Sequence, residues 1–348
     1  MKKNGKTVFV GLSGGVDSAL SAALLKRQGY EVAGVFMRTW HPDFLPCTEE
    51  EERRDAMRVA ARLGIPFLTF DFESEYKKAV ADYMIREYRA GRTPNPDVMC
   101  NKEVKFGAFL NKAVSMGADR VATGHYAINE NGNLKKGADP AKDQSYFLWT
   151  LTKKQLSKIL FPVGEMKKSE VRALAKKFNL PVADKKDSQG ICFLGEVDLK
   201  KFLEHYIKPQ KGKVLNEEGK TIGWHKGANL YTLGERHGFV ITEKSPDDGR
   251  YYVIGKNAKK NTLTVSSQKK PSGKNIYLRD VNWIFQTPKK EKKYSAQIRY
   301  HGEFLPCKAA VHKRGTACIL LDKEAAFASG QSCVIYDGDV CMGGGVIV

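Results

Sequence analysis

Gly11-Leu12-Ser13-Gly14-Gly15-Val16-Asp17-Ser18 is the stretch on which the fold turns. It follows Thr7-Val8-Phe9-Val10, a short β-branched and aromatic run, and leads into an amphipathic segment from Asp17 to Gln28 that Gly29 closes. A strand, a glycine-rich turn and a helix are expected in that order. Glycines permit positive φ and close approach of backbone to a ligand, so successive N–H groups form an anion nest at the helix start. Ser13 and Ser18 add hydroxyl donors. Asp17 is out of place beside bare phosphate and reads as a holder of Mg²⁺ or of a water on it. The string is neither a Walker A loop nor GxGxxG, and no Lys follows its glycines.

Outward from this loop, the first half alternates strand and helix as a doubly wound sheet does. Strands are expected at Glu31–Met37, Phe67–Phe70 and Arg120–Thr123. Helices are expected at Glu49–Leu63, Ser74–Arg89, Asn101–Ser115, Lys153–Ile159 and Ser169–Phe178. Right-handed crossovers then place a ligand at the carboxyl ends of the strands. After Tyr206, glycines at 212, 219, 223, 227, 234, 238 and 255 punctuate short β-rich runs. From Ile276, strands such as Ala296–Tyr300, Lys308–His312 and Ser332–Tyr336 recur at short spacing, the pattern of a small barrel or sandwich. The expected architecture is α/β: a doubly wound parallel-sheet nucleotide-binding domain over residues 1–205, a small β-rich module over 206–270 and a C-terminal β-barrel over 271–348.

At 348 residues, with 42% apolar side chains and a mean hydropathy of −0.43, the chain can bury more than one core. No run of 18 apolar residues occurs, and the start, Met1-Lys2-Lys3-Asn4-Gly5-Lys6, has no apolar leader, so a cytoplasmic protein without a membrane partner is expected. The net charge of +19 divides into +8 for residues 1–200 and +11 for the shorter remainder. It is densest from Lys244 to Lys293, where 13 basic residues face 4 acidic ones. Clustered cations of this kind favour a polyanionic partner. Seven cysteines, at 47, 100, 192, 307, 318, 333 and 341, form no CxxC pair, which excludes a zinc ribbon and a thioredoxin-type dithiol. The last four fall in expected strands and read as core; Cys47 reads as a packed thiol or as part of a flexible loop.

Two cysteines have suggestive surroundings. Thr93-Pro94-Asn95-Pro96-Asp97-Val98-Met99-Cys100 is a rigid loop feeding a helix. With Asp97 as N-cap, Cys100 falls in the first turn, where the helix dipole lowers a thiol pKa. Cys192 ends a polar, glycine-containing approach, Lys186-Asp187-Ser188-Gln189-Gly190-Ile191. Taken singly, each reads equally as a buried thiol.

The string Ser13–Ser18 resembles the signature loop of the N-type ATP pyrophosphatases, an adenine nucleotide alpha hydrolase-like fold. By that resemblance Met37 and Gly124 border the adenine and ribose. Seven further stretches occur in one order. They are Arg92–Asp97 with Cys100, Ala122-Thr123-Gly124-His125-Tyr126, Lys142–Leu148, Gly190–Phe193, Thr232–Arg236, Arg299-Tyr300, and Gly330-Gln331 through Gly345. Together they are similar to the tRNA 2-thiouridylase family over nearly the whole chain.

The resemblance implies ATP- and Mg²⁺-dependent thiolation of the wobble uridine in tRNAs for Lys, Glu and Gln, with sulfur from an external donor, a cysteine desulfurase or relay protein. It implies Cys192 as persulfide carrier, Cys100 as its partner in a transient disulfide, and Asp97 as general acid or base. Asn95, Pro96 and Asp97 meet the target base, and His125, Lys142, Asp143, Gln144, Arg299, Tyr300 and Gln331 meet tRNA. Ser329 and His237-Gly238-Phe239 depart from the family pattern, where Pro and Lys-Gly-Leu are expected. Three other readings stand beside this one: an iron–sulfur cluster on Asp97, Cys100 and Cys192, an amide-forming ligase of the same ATP group, and a non-catalytic RNA-binding protein.

Overall fold

A computed structural model describes residues 5–187, 190, 198–243, 249–268, 270–312 and 315–348. Its first sheet has strands β1 (Thr7–Gly11), β2 (Glu31–Arg38), β3 (Phe67–Asp71), β4 (Arg120–Ala122) and β7 (Ile159–Leu160), in the order β3-β2-β1-β4-β7. Every pairing is parallel. Side chains alternate through it: Val8, Val10 and Leu12 enter one core, and Phe9 enters the other. Helices α1 (Val16–Arg27) and α2 (Glu49–Leu63) cover the first of these faces, and Tyr76, Val80, Met84, Val104 and Phe109 from the later helical segments cover the other, as a parallel sheet requires.

The strand order reverses direction between β1 and β4, and the crevice beyond their carboxyl ends is where such sheets bind ligands. Both the Ser13–Ser18 loop and the Thr123–Tyr126 turn open there. Three expectations need correction. Ile159, assigned to a helix, opens β7, and the helix before it stops at Leu156. The helix expected from Asn101 starts at Pro96 and passes through wide i→i+5 turns at Cys100–Phe109 before ending as Leu110–Ser115. Arg299 and Tyr300 lie in a turn beyond the strand Tyr294–Gln297.

A second, mixed sheet has the order β10-β9-β8-β12-β11, from β8 (Gly212–Leu215), β9 (Thr221–His225), β10 (Phe239–Ile241), β11 (Tyr252–Asn257) and β12 (Thr262–Ser266). The third comprises β13 (Gly273–Trp283), β14 (Tyr294–Gln297), β15 (Leu305–His312), β16 (Thr316–Ala325), β17 (Ser332–Asp337) and β18 (Val340–Ile347). Their order is β13-β16-β15-β14-β17-β18, and β13 also pairs with β18, which closes a six-stranded barrel rather than a sandwich. Cys307 and Cys333 point into its core and Cys341 is buried in the neighbouring one, whereas Cys318 is half-exposed on the outer face of β16, not in the core. A hairpin from the first half, β5 (Ala127–Glu130) and β6 (Asn133–Lys136), extends the barrel sheet through Val340 opposite Lys135.

Candidate active site

The phosphate loop is shaped by two glycines. Gly14 has φ +73°, and a Cβ there would stand 2.5 Å from the Glu52 carbonyl oxygen. Gly124 lets the β4 turn touch the helix start: a Cβ would lie 2.7 Å from both the Asp17 carbonyl carbon and the Ser18 nitrogen. Helix α1 has Gly15 as its N-cap and no side-chain cap, so its first amides are left for an anion. Ser18 Oγ accepts from the Ser13 N–H at 3.2 Å and donates to the Gly15 carbonyl at 3.0 Å, which holds the loop in shape. Met37 lies over Gly11, as do Phe109 and Thr123.

Asp17 is already engaged. Tyr126 donates its hydroxyl to Oδ1 at 2.7 Å, and Lys168 Nζ donates to both oxygens at 2.7 and 2.8 Å. Lys168 also pairs with Asp187 at 2.9 Å, and Asp187 takes Lys142 at 2.8 Å and Arg172 at 2.6 Å. Burial alone would raise the Asp187 pKa, but Lys142 and Lys168 outweigh it and bring it down to about 2. Lys168 was missed from sequence. It supplies beside the loop the cation that the glycine string lacks. Its local trace was a lysine opening the helix Lys168–Lys177, where the dipole disfavours positive charge.

In the second cluster, Asn95, not Asp97, caps the helix: its side chain accepts from the Val98 N–H at 3.2 Å, and Pro96 takes the first helical position. Pro is pre-organised for that place, which moves the start two residues earlier than expected. Cys100 is therefore the fifth helical residue and fully buried, beyond the first turn to which the dipole effect is confined. Asn101 donates to the Asp97 carbonyl at 3.0 Å. Tyr146 donates its hydroxyl to the Ser332 carbonyl at 2.9 Å. Burial, with Asp143 and Asp97 nearby, pushes Tyr300 up to about 12. Its ring lies 4.3 Å from that of Phe147. Cys192 lies outside the described residues, as do Ser188, Gln189, Ile191 and Phe193.

The remaining residues divide into outward-facing and structural. Arg299 is exposed, and Lys142 is partly so. His125 is 6% exposed, between the rings of Phe106 and Phe161, with Nδ1 2.8 Å from the Thr123 hydroxyl. Burial, with Lys105 nearby, holds its pKa well below the usual value, so the ring is neutral. Asp143 accepts from the Gly137 and Ser145 N–H groups at 2.9 and 3.0 Å, and Gln144 exchanges two hydrogen bonds with the Tyr126 backbone. These side chains brace the β4 turn. Gln331 is tied by its backbone to Ala328 and Ile347, in a turn packed on Thr93. That turn tolerates Ser329 in place of Pro because what it offers Thr93 is a backbone carbonyl, at 2.8 Å.

Among the described residues no group of three or more His, Cys, Asp or Glu side chains could hold a metal, and no helix is long and apolar enough to cross a membrane.

Sequence profiles match the chain in three parts: one described as a tRNA methyl transferase HUP domain over residues 6–196, a tRNA methyl transferase PRC-barrel domain over 200–267, and an aminomethyltransferase β-barrel domain over 273–347. The chain is similar to the tRNA-specific 2-thiouridylase MnmA of Enterococcus faecalis, 45% identical over 361 residues, covering 100% of this chain and 96% of that one. It is similar to the protein of the same name from Listeria monocytogenes, 45% identical over 353 residues, covering 98% of this chain and 94% of that one.

Proposed function

Because the chain belongs to the tRNA-specific 2-thiouridylase family, we propose that it is a sulfurtransferase that replaces the oxygen on carbon 2 of the wobble uridine in tRNAs for Lys, Glu and Gln. The observation that carries this reading is the pairing of an uncapped phosphate loop, with Lys168 beside it, and a helix that runs from Cys100 to Phe109 against the same loop. That helix spans roughly 10–14 Å between the two residues, a distance a bound nucleotide and base can bridge.

ATP binds with its phosphates on the α1 amides, Ser13 and Ser18. Lys168 moves from Asp17 to the phosphates, and Asp17 would then be the carboxylate that holds Mg²⁺, which would offset phosphate charge. The uridine oxygen attacks the α-phosphorus, and the bond to pyrophosphate breaks. A persulfide on Cys192, loaded by an external donor, attacks carbon 2, and AMP leaves with the old oxygen. Cys100 thiolate then attacks the Cys192 sulfur. The S–S bond breaks toward the base, leaving 2-thiouridine and a Cys100–Cys192 disulfide that an external thiol reduces. Asp97 handles the proton as general acid or base. The base reaches Asn95, Pro96 and Asp97 by leaving its stack, which an anticodon loop permits at modest cost. Lys142, Arg299, Tyr300 and the Gln331 turn contact RNA, while His125, Asp143 and Gln144 hold the turn behind them.

The test is a single turnover with ATP, Mg²⁺, a cysteine desulfurase, labelled cysteine and unmodified tRNA for Glu, with nucleosides analysed by mass. Labelled 2-thiouridine that requires ATP and is lost in Cys192→Ser and Cys100→Ser supports the reading. ATP-independent product, or product from either serine variant, would overturn the proposed chemistry. Stoichiometric iron after anaerobic purification would favour the cluster reading.

A further inference from the structure

The run from Gly91 to Asn95, which leads into the Cys100 helix, touches both of the other β modules. Upstream of it, Glu87 is 4% exposed, and Arg92 clasps its carboxylate with two parallel bonds of 2.6 and 2.8 Å. Arg279, on barrel strand β13, reaches the same carboxylate at 3.4 Å from 192 positions away. The Thr93 N–H donates to the Ser329 carbonyl of the barrel at 2.8 Å, and the Thr93 hydroxyl lies 3.3 Å from that of Thr232 in the central module. Asn229 of the central module donates to the Arg89 carbonyl at 3.2 Å. Two residues beyond Thr93, Asn95 caps the helix and fixes Asp97 and Cys100 in its first five positions.

A buried carboxylate is tolerated only where it is fully paired, and here the pairing is shared between modules. The Arg92 hydrogen bonds hold the Glu87 pKa below the usual carboxylate range against its burial, so the charge persists at neutral pH. Without that charge, the Arg92 guanidinium would lose its acidic partner and Arg279 would keep only Asp280. Arg92 would then swing outward and draw Thr93 from the barrel turn.

We propose that Glu87 is a positioning residue: by binding Arg92 and the barrel's Arg279 together, it sets the Asn95–Cys100 segment against the modules that hold RNA. The proposal deepens the function given above and rests on this segment receiving the target base.

The test compares full-length wild type, Glu87→Gln and Glu87→Asp by hydrogen exchange and single-turnover thiolation. Glu87→Gln should accelerate exchange in residues 88–100 and 328–331 while leaving β1, β2 and barrel strands β15 and β16 unchanged. At saturating tRNA and ATP its thiolation rate should fall by about tenfold or more, as a displaced reacting group predicts, with the tRNA Kd essentially unmoved. Glu87→Asp, which keeps the charge, should recover part of the rate. If Glu87→Gln does not fold, Arg279→Gln removes the barrel's half of the clasp and should show the same local pattern more weakly. Unchanged exchange in 88–100, acceleration throughout the molecule, an unchanged rate, or a loss confined to tRNA affinity each overturns the proposal. Failure of wild type to thiolate would overturn the function instead, and the exchange pattern would still decide whether the clasp exists.

Discussion

Lys168 donates one ammonium to both carboxylate oxygens of Asp17, at 2.7 and 2.8 Å, across 151 positions of sequence. The cation beside the phosphate loop thus comes from a distant helix. Replacing Lys168 by Ala removes the ammonium that turns to the phosphates when ATP binds. ATP affinity should fall by about tenfold to a hundredfold, the worth of a charge-assisted contact. Calorimetric titration with a non-hydrolysable ATP analogue measures this, and unchanged affinity would make Lys168 a tether only.

Gly124→Ala places a methyl carbon 2.7 Å from backbone atoms of Asp17 and Ser18. Neither is a flexible chain end, so the β4 turn and the helix start must part. ATP binding should be lost while the barrel, which has a core of its own, stays folded. Titration alongside circular dichroism checks both, and an ATP affinity equal to wild type would show that the turn can yield.

The ionised Asp187 predicts a pH dependence. Its folded pKa of about 2 lies below the ordinary value of 3.8, so between these two the unfolded chain binds more protons. Stability therefore rises with pH across that window, is fully present above it, and is lost as pH falls through about 2. Urea unfolding at several acidic pH values should show a steeper rise in wild type than in Asp187→Asn. Parallel curves would remove Asp187 from the acid response.

Thiol reactivity separates the cysteines. Burial raises Cys307 and Cys341 to about 12 and pushes Cys333 up as well, while Cys47 is exposed. Because the thiolate is the reacting species, iodoacetamide at neutral pH should label Cys47 readily and these three only after unfolding. Peptide mass mapping over time reads this directly. Rapid labelling of Cys333 in folded protein would contradict the barrel packing. Cys100, buried in the free protein, should react slowly too.

Local signals made most of the first half readable from sequence. Glu49–Leu63 is the helix expected, with four acidic residues in its first turn and Gly64 at its end. The phosphate loop was equally plain, since strand, glycines and helix are neighbours in the chain. The β5–β6 hairpin was overlooked although Asn131 and Gly132, both at positive φ, form the dipeptide that best signals a tight hairpin. Its strands are short and partly polar, so periodicity gave little. Lys168 on Asp17 and Arg279 on Glu87 were not legible as pairs, because no local pattern records which distant charge a carboxylate meets. Asp97 was mistaken for the cap because its capping propensity was weighed without the fixed φ of Pro96.

The hairpin has one more consequence. Its register with β18, and the Lys136 N–H donating to the Asp339 carbonyl at 2.9 Å, mean that residues 127–136 serve as sheathing for a barrel they do not belong to in sequence. A C-terminal fragment cut near residue 270 would bare that stretch of β18 as an open edge, ready to pair with other chains. A chimera that exchanges barrels between relatives must carry the matching hairpin with it. The smallest transplantable unit is thus discontinuous, which ties the inheritance of the barrel to that of the nucleotide-binding half.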